Sequence, residues 1–377
     1  TVVSGACSFV VPEMTSIPLD KLKAFLDGNA ELAVYRHFIE DNTRRKAHIL
    51  TEREEEILAL AGEIAAAPHD IFTMLNNADI RFPVIKDENG EDVEVTKGRY
   101  IRFLESHDRR VRKDAYEALY SSYRKLRNTI GASLNASVKK DVFFSRVRKY
   151  GSSLEAALDP DNVLTDVYNN LIDTAGKNLG LLHRYIALRK KVLGLDELRM
   201  YDLYVPMVKE IKYEIPFEQA VEMVKTALRP LGEDYCANLE KGFESGWIDI
   251  YENEGKTGGA YSWGAYETHP YVLLNYQGGI KDVFTLAHEM GHALHTYYTN
   301  MTQPYIYSEY RIFVAEVAST VNESLLMRHL LANTGDRTRK AYLLNHYLEE
   351  FRGTVFRQVM FAEFEKDIHE RAERGEA

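Results

Sequence analysis

The chain contains 377 residues, of which 45% are hydrophobic and 28% are charged. This composition is typical of a folded globular protein and excludes a chain that is disordered throughout. The 47 basic and 57 acidic residues give a formal net charge of −10. An acidic chain is poorly suited to the phosphate backbone of a nucleic acid, so we expect no nucleic-acid partner.

The cysteine content and the apolar segments bear on the cellular compartment. The chain has two cysteines, Cys7 and Cys236, which cannot form a disulfide framework and favour a reducing, cytoplasmic compartment. We find no apolar run that approaches the ~18 residues of a membrane span, and we expect no membrane partner. Residues 1–11 lack the basic segment of a signal peptide.

The first predicted elements are helices within residues 18–75, where apolar residues recur at steps of three and four. Thr51 and Glu54 have the spacing of a capping box, which predicts the start of a helix. We expect this helix to run through Ala67 and to be stopped by Pro68, because proline disfavours helical backbone in the residue before it.

A β-hairpin is predicted within residues 79–95. Apolar residues alternate on both sides of the pair Asn89-Gly90, and Asn-Gly between two such runs favours a tight hairpin turn. We place a boundary just after the hairpin. It separates an N-terminal helical region, residues 1–100, from a second region, residues 101–377.

Helical periodicity dominates the second region and predicts a mainly α protein. It extends over residues 97–150, then to about Leu193, and again from Phe217 to Leu228. The segment from Asp202 to Tyr213 has a more strand-like pattern of apolar residues.

Glycine and aromatic residues alternate between Asn253 and Ile280, which indicates loops and a small β element. Within this segment the residues from Tyr271 to Tyr276 form a short, mostly apolar run that predicts a strand. Asp282 then has the residue type of a helix N-cap, so we expect the next helix to begin there.

That helix carries the motif His288-Glu-Met-Gly-His292, which has the form H-E-x-x-H. Four residues turn a helix by about 400°, so the two histidines lie ~40° apart on one face and ~6 Å apart along the axis. Both imidazoles can therefore reach one Zn²⁺, and Glu289 can take a proton from a zinc-bound water. His295 lies on nearly the same face; it supports a ligand, contacts substrate, or is an ordinary core histidine.

The third zinc ligand is left open by the residues alone. A metzincin needs a histidine ten residues after the first, where this chain has Tyr298. No aspartate occurs between Asp282 and Asp336. The helix predicted after the motif carries Glu316 and Glu323, seven residues apart on one face. Either glutamate can be the ligand, and the other would then hold a histidine ring in its metal-binding tautomer.

These motifs together resemble a known family. The run His288–His295 followed by Glu316–Glu323, with Gly258–Gly264 and His269–Tyr276 before it, resembles the thimet-oligopeptidase-like zinc metallopeptidases, peptidase family M3. Within the family, the resemblance is greatest to the oligoendopeptidase F group. It implies an elongated helical metallopeptidase fold with a deep substrate channel and a small β-sheet element beside the zinc helix.

The resemblance also implies an activity and a set of roles. The activity is zinc-dependent endopeptidase hydrolysis of short oligopeptides, with one Zn²⁺ per chain. His288, His292 and Glu316 fall on the family's zinc ligands, and Glu289 falls on its general base. Glu323 then supports a zinc ligand from behind. Residues 101–377 become the catalytic region.

The resemblance further implies how substrate is held. The strand Val272–Tyr276 falls where the family has an edge strand along the cleft, to which a peptide backbone could add as a further strand. The glycine-rich loop before it would allow close backbone approach. The implied substrate-binding residues are Gly259, Ala260, Tyr261, His269, Leu274 and Asn275.

The chain departs from the family at its C-terminal end. Family members are much longer and carry tyrosine and histidine residues downstream that hold the oxyanion, for which this chain has no matching motif. Tyr261, Tyr266 and Tyr310 are candidates by proximity in sequence only. We therefore expect a chain truncated at its C-terminal end and clipped at its N-terminal end. The alternative function is a non-catalytic, peptide-binding helical fragment with an intact but idle zinc site.

Overall fold

The computed structural model describes residues 2–208 and 214–376. The chain forms two compact units: the first runs to Met207 and resumes at Glu350, and the second spans Val208 to Glu349. The predicted division into residues 1–100 and 101–377 stays a prediction.

Helices make up most of the described residues, which confirms the predicted mainly α class. In chain order they are α1 (Val2–Ala6), α2 (Val10–Ser16), α3 (Leu19–Gly28), α4 (Arg36–Arg44), α5 (Glu52–Met74), α6 (Lys97–Glu105), α7 (Arg109–Lys125), α8 (Arg127–Val147), α9 (Ser153–Leu158), α10 (Thr165–Lys177), α11 (Leu179–Val192), α12 (Phe217–Leu228), α13 (Glu233–Glu244), α14 (Ile280–Thr302), α15 (Ile312–Asn333), α16 (Arg337–Glu350) and α17 (Arg357–Glu373).

The strands are short and form two sheets. They are β1 (Val84–Lys86), β2 (Asp92–Glu94), β3 (Ile248–Asp249), β4 (Tyr261–Trp263) and β5 (Tyr271–Leu273). The first two strands form one antiparallel sheet, and the other three form a sheet in the order β3-β5-β4.

Helix α5 starts as predicted but does not end at Pro68. Thr51 and Glu54 form the capping box, and the helix continues to Met74 with Pro68 in its interior. Interior proline removes one backbone hydrogen bond, and here packing against α8 maintains the helix, with Ser133 Oγ donating to the Pro68 carbonyl at 2.6 Å. The predicted stop is therefore wrong, because a tertiary contact outweighs a local preference.

Helix α5 and the turn after it bear on the expectation about membranes. The segment from Glu52 to Asp79 is long and apolar enough to cross a membrane, with a mean hydropathy of 1.2 over a window that is 6% buried. Glu63 and Asp70 interrupt its apolar residues, and the expected lack of a membrane partner stays a prediction. Length and composition alone do not distinguish a membrane span from another kind of helix.

The predicted hairpin is present in the first unit. Strands β1 and β2 pair with Val84 opposite Glu94, and the Asp87 carboxylate accepts from the Asn89 and Glu91 backbone N–H groups in the turn. Gly90 has a φ of 84°, which explains why glycine occupies the turn. Val95 follows the second strand and is fully buried in a core shared with α6 and α7.

A buried ion pair lies in the same unit. Asp202 is fully buried and accepts from Arg112 at 2.8 Å and from Arg109 at 2.9 Å. Asp202 lies in a short 3₁₀ turn and no strand follows it through Val208, so the strand-like prediction is wrong there. The remainder of that prediction, residues 209–213, lies outside the described residues.

The second unit is built around α14. Its side chains Leu286, Ala287, Met290 and Leu294 are fully buried in a core that α12, α15 and the three-stranded sheet complete. Because this face of the helix is enclosed in the core, α14 cannot rotate, and the direction in which His288 and His292 leave the helix is fixed.

Strand β5 is the centre of its sheet, and this corrects the expectation of an edge strand. Its residues pair in parallel with β3 and in antiparallel with β4, with Ser262 opposite Val272. The backbone N–H groups of Val272 and Leu274 donate to carbonyls of Trp247 and Asp249. Within the described residues β3 and β4 are the two edge strands of this sheet, and β4, with three residues, is the longer of them.

Candidate metal centre

Helix α14 begins three residues earlier than expected. Gly279 is the N-cap, and Asp282 lies at the third helical position, where its carboxylate accepts from the Gly279 N–H at 2.8 Å. An acidic side chain in the first turn also interacts favourably with the helix dipole. The prediction of Asp282 as N-cap is therefore wrong, although Asp282 does stabilise this end of the helix.

Two contacts bring α14 and α15 close together at the motif. A Cβ atom on Gly291 would lie 2.6 Å from Ser319 Cα and 2.9 Å from the Ala318 carbonyl carbon, so the backbones approach at a distance that only glycine permits. The buried Asn322 side chain donates from Nδ2 to the Ala287 carbonyl at 3.0 Å and accepts from the Tyr235 hydroxyl at 3.0 Å. These contacts fix which residues of α15 face the histidines.

Three side chains from the two helices converge on one point. His288 Nε2 and His292 Nε2 are 3.1 Å apart, and Glu316 Oε2 lies 3.4 Å from the first and 3.3 Å from the second. Tetrahedral ligands with metal–ligand bonds of about 2.1 Å are separated by about 3.4 Å. The spacing of these three atoms therefore fits one tetrahedral ion with a fourth position open, and the donor set of two imidazoles and a carboxylate suits Zn²⁺.

Glu323 orients the first histidine. His288 donates from Nδ1 to Glu323 Oε1 at 2.9 Å, which leaves the Nε2 lone pair directed at the convergence point. Burial tends to lower the pKa of His288, but the hydrogen bond and charge of Glu323 outweigh it and raise this pKa. Glu316 thus lies in the cluster and Glu323 lies behind His288, and the assignment of Glu316 as the third zinc ligand stays a prediction.

Glu289 lies beside the cluster without belonging to it. Its side chain is buried, with 6% of the residue exposed, and its Oε2 atom has no hydrogen-bond partner among the described residues. Burial raises the pKa of this carboxyl, and the nearby Glu316 and Glu323 charges add to the effect, whereas His288 opposes it. A buried carboxylate with a free oxygen and a raised pKa is suited to accept a proton.

The other two motif histidines have lowered pKa values. Burial is the largest cause for His292, and the neighbouring His288 adds to it against the opposing charge of Glu316. Burial is also the main cause for His295, with a smaller contribution from His292. His295 stacks on the Tyr310 ring at 3.7 Å, and its Nδ1 has no partner among the described residues. Both rings are therefore favoured in the neutral form.

The six predicted substrate-binding residues lie in and around the three-stranded sheet. Asn275 Nδ2 donates to the carbonyls of Thr257 and Gly259, which ties the glycine-rich loop to the end of β5. Leu274 is 2% exposed, with its side chain in the core. The remaining four are Gly259 and Ala260 just before β4, Tyr261 within it, and His269, whose ring stacks on Trp247. Their contact with substrate stays a prediction.

Sequence reasoning missed three residues that shape the cluster. Gly291 allows the close approach of α15, Asn322 bridges the two helices, and Ser319 donates from Oγ to Glu316 Oε2 at 2.8 Å. The available signal was the polar pair Ser319 and Asn322, at the third and sixth positions after Glu316, beside the apolar residues Ala318 and Val321. Such residues on a buried helix face indicate hydrogen bonds to a neighbouring element.

Similarity to known proteins extends over most of the chain. The family model described as Peptidase family M3 matches residues 102–377, and a model described as Oligopeptidase F matches residues 13–82. Oligopeptidase PepF of Bacillus subtilis is 51% identical over 376 residues, which are 100% of this chain and 56% of that protein. Group B oligopeptidase PepB of Streptococcus agalactiae is 42% identical over 373 residues, which are 99% of this chain and 62% of that protein.

A solved structure of a relative is also similar to this chain over its full length. Oligoendopeptidase-F from Enterococcus faecium has a TM-score of 0.78 and 39% identity to this chain, with coverage of 100% of this chain and 61% of that one. The chain spans about three fifths of the length of these relatives. Since the M3 match extends over more than half of the residues and includes both helices of the cluster, the chain belongs to peptidase family M3.

Proposed function

We propose that this protein is a zinc-dependent endopeptidase that hydrolyses short oligopeptides. The observation that carries the proposal is the convergence of His288 Nε2, His292 Nε2 and Glu316 Oε2, all within 4.8 Å of one another, beside the buried carboxyl of Glu289. Membership in peptidase family M3 supports peptide hydrolysis as the reaction class.

The three ligands would hold one Zn²⁺ per chain, with Glu323 fixing the ring of His288. Zinc bound there would polarise the scissile carbonyl and lower the pKa of a water molecule. Ser319 holds the Glu316 carboxylate by its hydrogen bond, so both helices contribute to a prearranged ligand set.

Glu289 is proposed as the general base. Its unpaired Oε2 would accept a proton from the attacking water and then donate that proton to the leaving amine. The raised pKa of its carboxyl brings proton uptake and release closer to neutral pH. His295, stacked on Tyr310, would help to keep the ligand face of the helix rigid.

Peptide substrate is proposed to add as a strand to the free edge of β4. Tyr261 and Trp263 on this strand are 48% and 71% exposed, so large side chains there are available to a ligand. Main-chain hydrogen bonds to an edge strand bind peptides with little dependence on their side chains. Asn275 would act by holding the preceding loop, and His269 by supporting the sheet through Trp247.

We further propose a cytoplasmic location, because Cys7 and Cys236 are both free thiols, as is usual in a reducing compartment. The proposed partners are short peptides.

A quenched fluorogenic oligopeptide tests the function. The purified protein should cleave it, and a zinc chelator should abolish cleavage. Glu289→Gln should lower the rate by at least about a hundredfold while one Zn²⁺ per chain is retained, because the amide cannot accept the proton. Glu218→Gln on the exposed face of α12 is the matched control and should leave the rate unchanged. Cleavage that resists the chelator, or a Glu289→Gln variant with full activity, would refute the proposal.

A further inference from the structure

Four aromatic side chains form a row across the three-stranded sheet. The His269 ring stacks on Trp247 with centroids 5.8 Å apart, and the Tyr271 ring lies 4.4 Å from the His269 ring. Trp263 lies directly opposite Tyr271 in the pairing of β4 with β5, so these two side chains emerge on the same face of the sheet. We call the four residues the aromatic row, and Trp263 is its end at the edge strand β4.

The aromatic row becomes more exposed toward β4. Trp247 is 2% exposed, Tyr271 is 52% exposed and Trp263 is 71% exposed. Within the part of the chain that the structure describes, each of the other three rings has a ring neighbour in the row, whereas no ring contact is found for Trp263. Aromatic rings gain free energy when a second ring packs against them. The position beside Trp263 is therefore the one at which a further ring would extend the row.

The opposite face of β4 packs against α14, the helix of the two histidines. Val272, which lies opposite Ser262, is 2% exposed, and a Cβ on Gly264 would lie 2.6 Å from Thr296 Cγ2. Thr296 lies one helical turn after His292. A peptide paired with β4 would thus lie next to the helix of the candidate metal centre, with the aromatic row on its outward face.

The hydrogen bonds of β5 determine which groups of β4 are turned to the edge. The N–H groups of Val272 and Leu274 donate to carbonyls on the β3 side, so Tyr271 and the residue two further along direct theirs to β4. Trp263 thus exchanges hydrogen bonds with Tyr271, and the N–H and C=O of Ser262 point away from β5. An antiparallel peptide would bond to Ser262 and place one residue opposite Trp263 in a non-hydrogen-bonded pair. Side chains in such pairs are closest, with Cα atoms about 4.5 Å apart.

We propose that Trp263 is a specificity-determining residue and that the site prefers peptides with aromatic side chains at alternate positions. One ring would pack against Trp263 and the next ring on the same face against Tyr261, which is 48% exposed. Alternate residues of a strand share a face, so the two rings must be separated by one residue. The inference rests on the proposed function, because it requires the peptide to add to β4.

Binding of two isomeric peptides tests the proposal. Ac-Gly-Ala-Phe-Ala-Phe-Ala-Gly-NH2 carries its rings at alternate positions, and Ac-Gly-Ala-Phe-Phe-Ala-Ala-Gly-NH2 carries them at adjacent positions. Calorimetric titration of the zinc-loaded Glu289→Gln protein measures their affinities without cleavage. The alternate isomer should bind about 2- to 10-fold more tightly than the adjacent isomer, because it places one more ring against an aromatic neighbour. An alternate peptide with lysine in place of both phenylalanines should bind more weakly than either.

Tryptophan fluorescence locates the bound peptide. Trp247 and Trp263 are the two tryptophans of the chain, and Trp247 is already buried. Binding of the alternate isomer should therefore shift the emission to shorter wavelength through Trp263 and reduce its quenching by acrylamide. Binding without either change would place the peptide elsewhere and overturn the proposal.

Substitutions of Trp263 complete the test. Trp263→Ala should give the two isomers equal affinity, whereas Trp263→Phe keeps a ring and should keep most of the preference. Phe25→Ala is the matched control, because Phe25 is an aromatic residue of α3 in the first unit that is 47% exposed. It should keep the full preference.

The preference and the proposed hydrolysis have separate readouts. Equal binding of the isomers by the Glu289→Gln protein, an undiminished preference in Trp263→Ala, or tighter binding of the lysine peptide would overturn the inference. Chelator-sensitive cleavage of a fluorogenic peptide by the unchanged protein reports the proposed function independently. Cleavage without the preference removes this inference alone, and the preference without cleavage supports it while removing hydrolysis.

Discussion

Substitution of Gly291 by alanine separates the two helices that hold the metal ligands. Gly291 lies between His288 and His292, and an added Cβ would be 2.6 Å from Ser319 Cα. Ordinary contacts of this kind start at 3.4 Å, so the helix backbones would have to move apart by about 0.8 Å. The three nearest atoms to the added Cβ all belong to the backbone of Ala318 and Ser319, which has no alternative rotamer with which to make room.

The Gly291→Ala substitution should weaken zinc binding, because a metal site tolerates only small changes in the positions of its ligands. Metal–ligand distances vary by only about 0.2 Å, so a shift of about 0.8 Å moves Glu316 out of the range in which it can bind together with both histidines. To bind zinc, the Gly291→Ala variant must bring the two helix backbones back to their native separation. This forces the added methyl group against Ser319 and costs about 1–3 kcal/mol. We therefore expect the zinc dissociation constant of Gly291→Ala to rise about 5- to 150-fold.

Zinc affinity would be measured by competition with a chromophoric chelator, and stability by urea unfolding of the zinc-free protein. Gly131→Ala is the matched control, because Gly131 lies inside α8 and its Cβ would meet nothing within 4 Å. The control should keep the zinc affinity of the unchanged protein and gain about 1 kcal/mol of stability from helix propensity. A Gly291→Ala variant that binds zinc as tightly as Gly131→Ala would refute the close approach of the two helices.

Three further substitutions test other parts of the molecule. Glu323→Ala should weaken zinc binding about 10- to 100-fold, because the ring of the first histidine loses its orienting acceptor. Arg112→Ala should lower the free energy of unfolding in urea by about 3–5 kcal/mol, because it removes the buried partner of the fully buried Asp202. The hydrogen bond from His369 to Asp141 raises the pKa of that histidine in the folded protein. Its stabilisation is thus full below the unfolded pKa of about 6.5 and is lost as the pH rises through the folded value, so His369→Gln should destabilise the protein more at about pH 5 than at about pH 9.

Each of these has a control and a contradicting result. Exposed Glu309→Ala should leave zinc affinity unchanged, and equal losses in the two glutamate variants would contradict the role of Glu323. Arg110→Ala, whose ion pairs are exposed, should cost at most about 1 kcal/mol. His183→Gln, on the exposed face of α11, is the control and should show no such pH dependence. Equal destabilisation of His369→Gln at about pH 5 and about pH 9 would contradict the role of the His369–Asp141 hydrogen bond.

The sequence was sufficient wherever local chemistry decides the structure. The i, i+4 spacing of His288 and His292 predicts that both rings meet on one side of a helix, and their Nε2 atoms are 3.1 Å apart. The Asn89-Gly90 pair likewise predicts a turn whose positive φ at glycine is present. In both cases the relevant interactions lie within a few residues, so no knowledge of packing is needed.

The choice between Glu316 and Glu323 could not be made from the residues, because it depends on where one helix crosses another. Both glutamates share a face of α15, and each is about one turn from the crossing point. The crossing is fixed by the contact of Gly291 with Ser319, three residues after Glu316. A longer side chain at either position would displace the crossing, and the sequence pattern of α15 alone does not contain that information.

The order of the three-stranded sheet shows the same limit, with a consequence for substrate binding. The run from Tyr271 to Tyr276 has the strongest strand pattern, yet that strand is central because the two-residue strand Ile248–Asp249 pairs with it. A strand of two residues has no alternation to detect. Once it occupies one side of β5 and β4 occupies the other, the main-chain groups of β5 are already paired. A peptide that adds to this sheet must therefore pair with an edge strand, and the proposed addition to β4 would use the N–H and C=O groups of residues 261–263. Substitutions that disturb β4 should then affect substrate affinity more than those in the expected strand.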